Sequence, residues 1–266
     1  MWNHVKDDKM QALENQRLVV LPKIFMPYGA DLERIGPNND GGYWVETQSI
    51  TTADCLLSFG MNDDWRFERT LEPMIQGRID IYDRSVSEKL FRNNIIKEAL
   101  KFIRPKSTFQ ALITYLDYRT FFKKQHVTHH EMYVGLDFEN QRDQWISFTS
   151  ILAQYSDVEK ILIKCDIEGG EYRLLEELVI NSHRLTGLVI EFHDLDVMMD
   201  KVVQFINDFP LKLVALNINN YGTINQTTPT VIECTFSNVC QEVKVNNPAQ
   251  IKNDPNGFLP VFDNQQ

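Results

Sequence analysis

The stretch Ile161–Leu178, ILIKCDIEGGEYRLLEEL, limits what this chain can fold into more than any other. Ile161-Leu162-Ile163 opens it in the manner of a buried strand. Its character changes at Asp166, after which Glu168 and Glu171 flank a Gly169-Gly170 pair. Leu174, Leu175 and Leu178 then recur at helical spacing. A strand that ends in carboxylates, turns on glycine and feeds a helix is how open α/β sheets build sites at the carboxyl ends of their strands. The same acids also fit a structural role, Asp166 as a helix cap and Glu171 as a complement to the helix dipole. If this is an enzyme site, the rest of the chain has to supply a cofactor and a base.

Similar units recur on either side. Ala53–Gly60 reads as a first central strand ended by Gly60, followed by the loop Met61–Trp65 and a helix from Arg66 to Glu72. A glycine there lets a ligand pass close to the backbone, and a helix start offers free N–H groups. No GxGxxG accompanies it. Arg78–Asp83 reads as a second strand ending in Asp83, an acceptor-only carboxylate suited to a ribose diol and equally suited to a turn or cap. Glu88–Phe102 has a helical pattern. The mixed segment after it holds a basic cluster, Arg119–Lys124, and His126, His129 and His130, which read as a solvated loop because no third metal ligand lies at useful spacing. Glu131–Asp137 is expected as the third strand, and Trp145–Tyr155 as a helix capped by Ser147 or Thr149.

Beyond the central stretch, Thr186–His193 is a fifth strand on which Glu191 and His193, two residues apart, share a face. A helix over Asp194–Phe209, a sixth strand over Leu211–Asn219 and a seventh over Pro229–Ser237 follow. The short gap between the last two implies an antiparallel pair. At the front, Lys6–Leu18 reads as a peripheral helix. Leu32–Val45 reads as a hairpin turning at Asn38–Gly42, with the alternative that Asp40 and nearby amides serve a ligand. The expected division is an extension over 1–50, a main domain over 51–240 and a polar tail over 241–266.

The net charge of −10 and pI near 5.1 argue against nucleic acid as partner. Four cysteines without a CxxC pair, no signal-type leader and no membrane-spanning run point to a reduced, cytoplasmic protein.

The pieces NDGGYWV (39–45), LLSFGMNDDWRFE (56–68), IYDRS (81–85), LIKCDIEGGEYRLLEEL (162–178), VIEFH (189–193), NINNYG (217–222) and PTVIECTF (229–236) resemble, in order and spacing, the motifs of the FkbM-like S-adenosylmethionine-dependent methyltransferases. That resemblance implies an α/β fold: a Rossmann-like seven-stranded sheet, mostly parallel, with strands 6 and 7 antiparallel. It implies S-adenosylmethionine held by Ser58, Phe59, Gly60, Asp63 and Asp64, by Asp83 at the ribose and by Asp40. It places Asp166, Glu168 and Glu171 in the family's acidic signature, His193 at the end of the fifth strand, and Asn219-Asn220 in an Asn pair. Asn217 stands where a histidine is expected, and the loop DDWRFE is not glycine-rich. The implied activity is O-methylation of a sugar hydroxyl on a glycan or small natural product.

Methyl transfer to a hydroxyl needs alignment and a base, for which His193 is the candidate. Asp166 and His193 are also candidate ligands for Mg or Mn. The rival readings are a methyltransferase-fold binding module without turnover, and a metal-dependent nucleotide-sugar or phosphate enzyme using Asp63-Asp64 or Asp166 and Glu168.

Overall fold

Strands from well-separated segments assemble into one sheet in the computed structural model, which describes residues 17–38, 41–100, 105–139, 142–219, 224–225, 227–240 and 258–263. In chain order they are β1 (Cys55–Phe59), β2 (Ile79–Tyr82), β3 (Val127–His130), β4 (Ile161–Cys165), β5 (Leu185–Phe192), β6 (Lys212–Ile218) and β7 (Ile232–Ser237). Across the sheet they lie in the order β6-β7-β5-β4-β1-β2-β3. β5 to β3 pair in parallel, and β7 runs antiparallel to both β5 and β6. This is the Rossmann-like methyltransferase sheet that the motif order implied.

β1, β2, β4, β5 and β7 are buried along their whole length. Strands covered on both faces are near-continuously apolar, so a lone charge in one of them marks a special position. One face is covered by α5 (Phe148–Ala153), α6 (Leu175–Ile180) and α7 (Leu195–Asp208), through residues such as Phe148, Leu178 and Phe205. The other is covered by the antiparallel pair Leu32–Ile35 and Tyr43–Glu46, with α1 (Thr47–Thr51), α2 (Arg66–Leu71), α3 (Glu88–Leu100) and α4 (Pro105–Phe121). The hairpin expected before residue 50 is therefore integral to the cover of the sheet. Phe258–Asp263 pairs in parallel with Arg17–Pro22, which joins the two ends of the chain. The helix expected from Lys6 lies outside the described residues up to 16, and its last residues, Arg17 and Leu18, are strand.

Three expectations need correction around β3. The third strand is Val127–His130, and Tyr133–Gly135 instead pairs with Trp145–Ser147 outside the main sheet. The expected helix from Trp145 thus begins only at Phe148, capped by the Ser147 hydroxyl, which accepts from the Ser150 N–H. The mixed segment before β3 is the long helix α4. The histidines hid the strand because they are polar, yet each is bonded. His130 Nε2 lies 2.7 Å from Asp80 Oδ1. His129 bridges the Tyr118 hydroxyl at Nδ1 (2.7 Å) and the Asp83 carbonyl at Nε2 (2.8 Å), tying α4 to the end of β2.

Burial pushes His129 below the usual histidine pKa, although the Asp83 carbonyl opposes the shift. An imidazole whose folded pKa is depressed contributes stability that is present above its unfolded value, about 6.5, and lost as pH falls through the folded value. The urea midpoint of the parent chain should accordingly drop as pH falls below about 6.5, and His129→Gln should flatten that dependence. Parallel pH curves for the two chains would remove His129 from this role.

Candidate functional site

A cleft of about 850 Å³ opens at the carboxyl ends of β1, β2, β4 and β5, where the strand order reverses between β1 and β4. That position and size suit a small molecule. Gly60 ends β1 with φ +80°, and a Cβ there would stand 1.7 Å from the Asp166 carbonyl oxygen. The glycine is therefore required by the close approach of the β4 end. Asp166 N donates to the Phe59 carbonyl at 2.9 Å across the same gap.

Lys164, on β4, is only 4% exposed. Its Nζ donates to the Gly60 carbonyl and lies 3.5 Å from Asp166 Oδ2 and 5.6 Å from the centre of the Tyr43 ring. Burial disfavours the ammonium, but the charges of Asp166, Glu68 and Glu191 outweigh it and raise the lysine pKa. Glu68 is wholly buried behind the cleft, where it accepts from the Ser58 hydroxyl, and burial raises its carboxyl pKa.

On the far side of Asp166 stands a second set of groups. Tyr43 OH lies 2.9 Å from Asp166 Oδ2 and 3.2 Å from Glu191 Oε2, so its one proton serves two carboxylates. Asn219 Nδ2 donates to Glu191 Oε1 at 2.9 Å. His193 Nε2 faces Glu168 Oε2 (3.5 Å), Glu191 Oε1 (3.6 Å) and Asp166 Oδ1 (4.0 Å). Behind the ring, buried Glu171 accepts from the His193 backbone N–H (2.8 Å) and lies 3.1 Å from Nδ1, while its other oxygen accepts from Gly169 N. Burial opposes charge on His193, but the Glu171 bond and the charges of Glu171, Glu191 and Asp166 raise its pKa to about 9. At neutral pH the side chain is thus an imidazolium. Asp166, Glu191 and His193 also each present one ligand-type atom within 4.8 Å of the others.

Toward β2 the site is built differently. Asp83 Oδ2 accepts from Met61 N and Asn62 N (both 2.8 Å), and Oδ1 from Ser85 N (2.7 Å) and Ser85 Oγ (2.6 Å). Burial works against its charge, but these donors more than offset it and lower its pKa. All four acceptor positions of the carboxylate are engaged, so Asp83 shapes the loop after β1, and a ligand hydroxyl reaches it only by displacing a donor. Asp63 and Asp64 line the cleft, with Asp64 chelated by Arg66. Ser58 and Phe59 sit behind it: Ser58 bonds Glu68, and Phe59 packs edge-on against Tyr82 and Phe148. Asp40 and Asn220 lie outside the described residues.

Sequence reasoning assigned no role to Tyr43, Lys164 or the rim pair Tyr133 and Trp145. A single lysine inside the apolar run of β4 was a readable signal. Tyr43 gave none, because its hairpin reaches the site only through the fold. The Tyr133 and Trp145 rings lie 5.1 Å apart, tilted by 36°, and Arg173, held by Glu139 at 2.8 Å, covers the Trp145 ring. Glu168, φ +54°, adopts a left-handed conformation costly for a non-glycine residue, at the tip that faces His193.

Neither a protein-family model nor a curated protein matches the chain. Among solved structures it is similar to an rRNA methylase from Streptococcus thermophilus (10% identity, covering 71% of this chain and 92% of that one, TM-score 0.35). It is also similar to a precorrin-6y C5,15-methyltransferase from Geobacter metallireducens GS-15 (13% identity, 71% and 85% covered, TM-score 0.35). What the cleft binds is therefore read from its own residues.

Gly60→Ala should lower stability by more than about 1 kcal/mol in urea denaturation, with no ligand added, because it combines a positive φ with a backbone clash. An unchanged midpoint would show that β4 does not impose the glycine.

Proposed function

We propose that the chain is an S-adenosylmethionine-dependent methyltransferase that O-methylates a hydroxyl of a carbohydrate or small natural product. The observation that carries this reading is the charge balance of the cleft at the switch point of a methyltransferase-type sheet. Six lining carboxylates (Asp63, Asp64, Asp83, Asp166, Glu168 and Glu191) face four fixed cations (Arg66, Arg84, Lys164 and Arg173) and the His193 imidazolium, which leaves an excess of negative charge. S-adenosylmethionine is a net cation through its sulfonium and ammonium groups, and such a donor set suits it. The loop Met61–Asp64 and the Asp83–Ser85 turn would hold the nucleoside end, and Asp166 the cationic end. When bound, the cofactor supplies a methyl carbon made electrophilic by the sulfonium.

The chain's own residues have three tasks. Glu171 fixes Nδ1 of His193, which leaves Nε2 aimed at the cleft. In its neutral form Nε2 takes the proton of the acceptor hydroxyl. Tyr43 and Asn219 lock Glu191 beside it, which keeps the ring from turning away. The exposed Tyr133 ring beside Trp145 offers an aromatic surface of the kind on which the C–H face of a sugar ring packs, which supports the carbohydrate acceptor.

A second reading rests on the trio Asp166, Glu191 and His193. Carboxylates with one imidazole form a donor set acceptable to Mg or Mn, and such an ion would position the acceptor oxygen. Activity lost to a chelator and restored by Mg or Mn favours it, and activity indifferent to the chelator rejects it.

Calorimetry with S-adenosylmethionine and S-adenosylhomocysteine comes first, and failure to bind either rejects the enzyme reading. Binding without methyl transfer to any hydroxyl acceptor would favour a silent binding module. His193→Ala should retain cofactor binding and lose roughly 10²–10⁴-fold in turnover. In the metal-free parent, kcat/KM should rise with pH toward a limb near 9, since the base works only after losing its proton. A limb at ordinary histidine pH would remove the carboxylate cage from the mechanism.

A further inference from the structure

The helical pair α3 and α4, inserted between β2 and β3, carries features that the cleft does not use. Its base is anchored by Trp65, which packs on Phe91, Tyr118 and Phe122. Its outer side carries exposed apolar residues among the polar ones. On α4, Phe109, Leu112, Ile113 and Leu116 fall at i, i+3, i+4 and i+7, one helix face, and are 39–64% exposed. Leu90, Ile96 and Leu100 of α3 are exposed as well. The eleven exposed large hydrophobics among the described residues include these seven. The joining segment, 101–104, reads Lys-Phe-Ile-Arg.

The charge of the same segment reverses that of the chain. Residues 86–124 hold nine Lys and Arg against three Asp and Glu, a net of +6 in a chain of −10. Glu88 is engaged by Tyr115 and Arg119, and Asp117 by Arg69. Lys89, Arg92, Lys97 and Lys106 are exposed. Among the described residues no helix is long and apolar enough to cross a membrane.

We propose that this hairpin docks the protein on an anionic lipid bilayer, its apolar face at the headgroup boundary and its cations against the lipid charges. Apolar helix faces flanked by Lys and Arg bind bilayers in this way, and patches this rich in exposed apolar residues mark interaction surfaces. A second copy fits the face poorly, because a two-fold contact would set +6 against +6. A nucleic acid would use the cations but leave the apolar stripe in water. The cleft-lining Ser85 lies three residues before α3, so docking holds the mouth of the cleft beside the lipid surface. If the methyl-transfer reading also holds, the acceptor is a hydroxyl-bearing amphiphile presented at that surface.

The test is sedimentation of the full chain with vesicles of phosphatidylcholine alone or mixed with phosphatidylglycerol, at low and physiological ionic strength. The expected result is binding to the anionic vesicles only, weakened by salt. Lys89→Glu with Arg92→Glu and Lys97→Glu should lower the partition by at least about 100-fold, near fivefold per cation removed. Leu112→Ser with Ile113→Ser should weaken it at unchanged charge. Far-UV circular dichroism and urea midpoints certify that each variant is folded. No vesicle binding, equal binding to neutral vesicles, or undiminished binding by the charge-reversed chain overturns the proposal. So does a parent dimer in light scattering that Leu112→Ser dissociates while vesicles are not bound. Vesicle binding needs no turnover, so a failed methyl-transfer assay leaves this outcome independent.

Discussion

Lys164 lies almost fully buried at the end of β4, with its ammonium on the Gly60 carbonyl and beside Asp166, and this contact joins the last residues of β1 and β4. Burying an ammonium costs several kcal/mol unless opposite charges and good acceptors surround it. Here Asp166, Glu68 and Glu191 supply the charge and Gly60 the acceptor. The same two strand ends meet without a side chain between them, because a Cβ on Gly60 would occupy the place of the Asp166 carbonyl. The cleft therefore depends on one cation that compensates several acids and on one glycine that lets the backbones close. Without Lys164, Asp166 and Glu191 would repel each other across Tyr43, whose hydroxyl they share.

Two histidines show how far local charge decides chemistry. His129 and His193 are both substantially buried, and burial alone favours a neutral ring. His129 meets a phenol and a carbonyl, and its pKa is lowered. His193 meets Glu171, Glu191 and Asp166, which overcome the same penalty and raise its pKa to about 9. The first serves as a neutral strut between α4 and β2. The second is a charged group at the centre of an acidic cleft, ready to lose its proton when a cation approaches.

The order of strands was legible because buried parallel strands are apolar runs separated by helical periodicity, as in 55–59, 161–165 and 185–192. β3 was not, since Val127-Thr128-His129-His130 holds one apolar residue, and its histidines are satisfied by the Asp83 carbonyl and the Asp80 carboxylate, which lie far away in the sequence. In the site, Asp166, Glu171 and His193 were readable from their strand-end positions, and the structure brings them together. The side chains of Ser58 and Phe59, on opposite faces of β1, meet Glu68 on one side and Tyr82 and Phe148 on the other. Tyr43 was invisible, because its partners Asp166 and Glu191 lie 123 and 148 residues away in the chain. The apolar stripe of α4 passed unnoticed for a related reason: a helix with apolar residues on both its packed and its outer side shows little contrast along the sequence.

A cage of carboxylates holds His193 as an imidazolium poised over the cleft. Titration of the His193 ring protons by NMR, in metal-free protein, tests it most directly. The expected apparent pKa is near 9 and falls toward the ordinary histidine value in Glu171→Gln. A pKa at or below about 6.5 in the parent chain, or one that Glu171→Gln leaves unmoved, would contradict it.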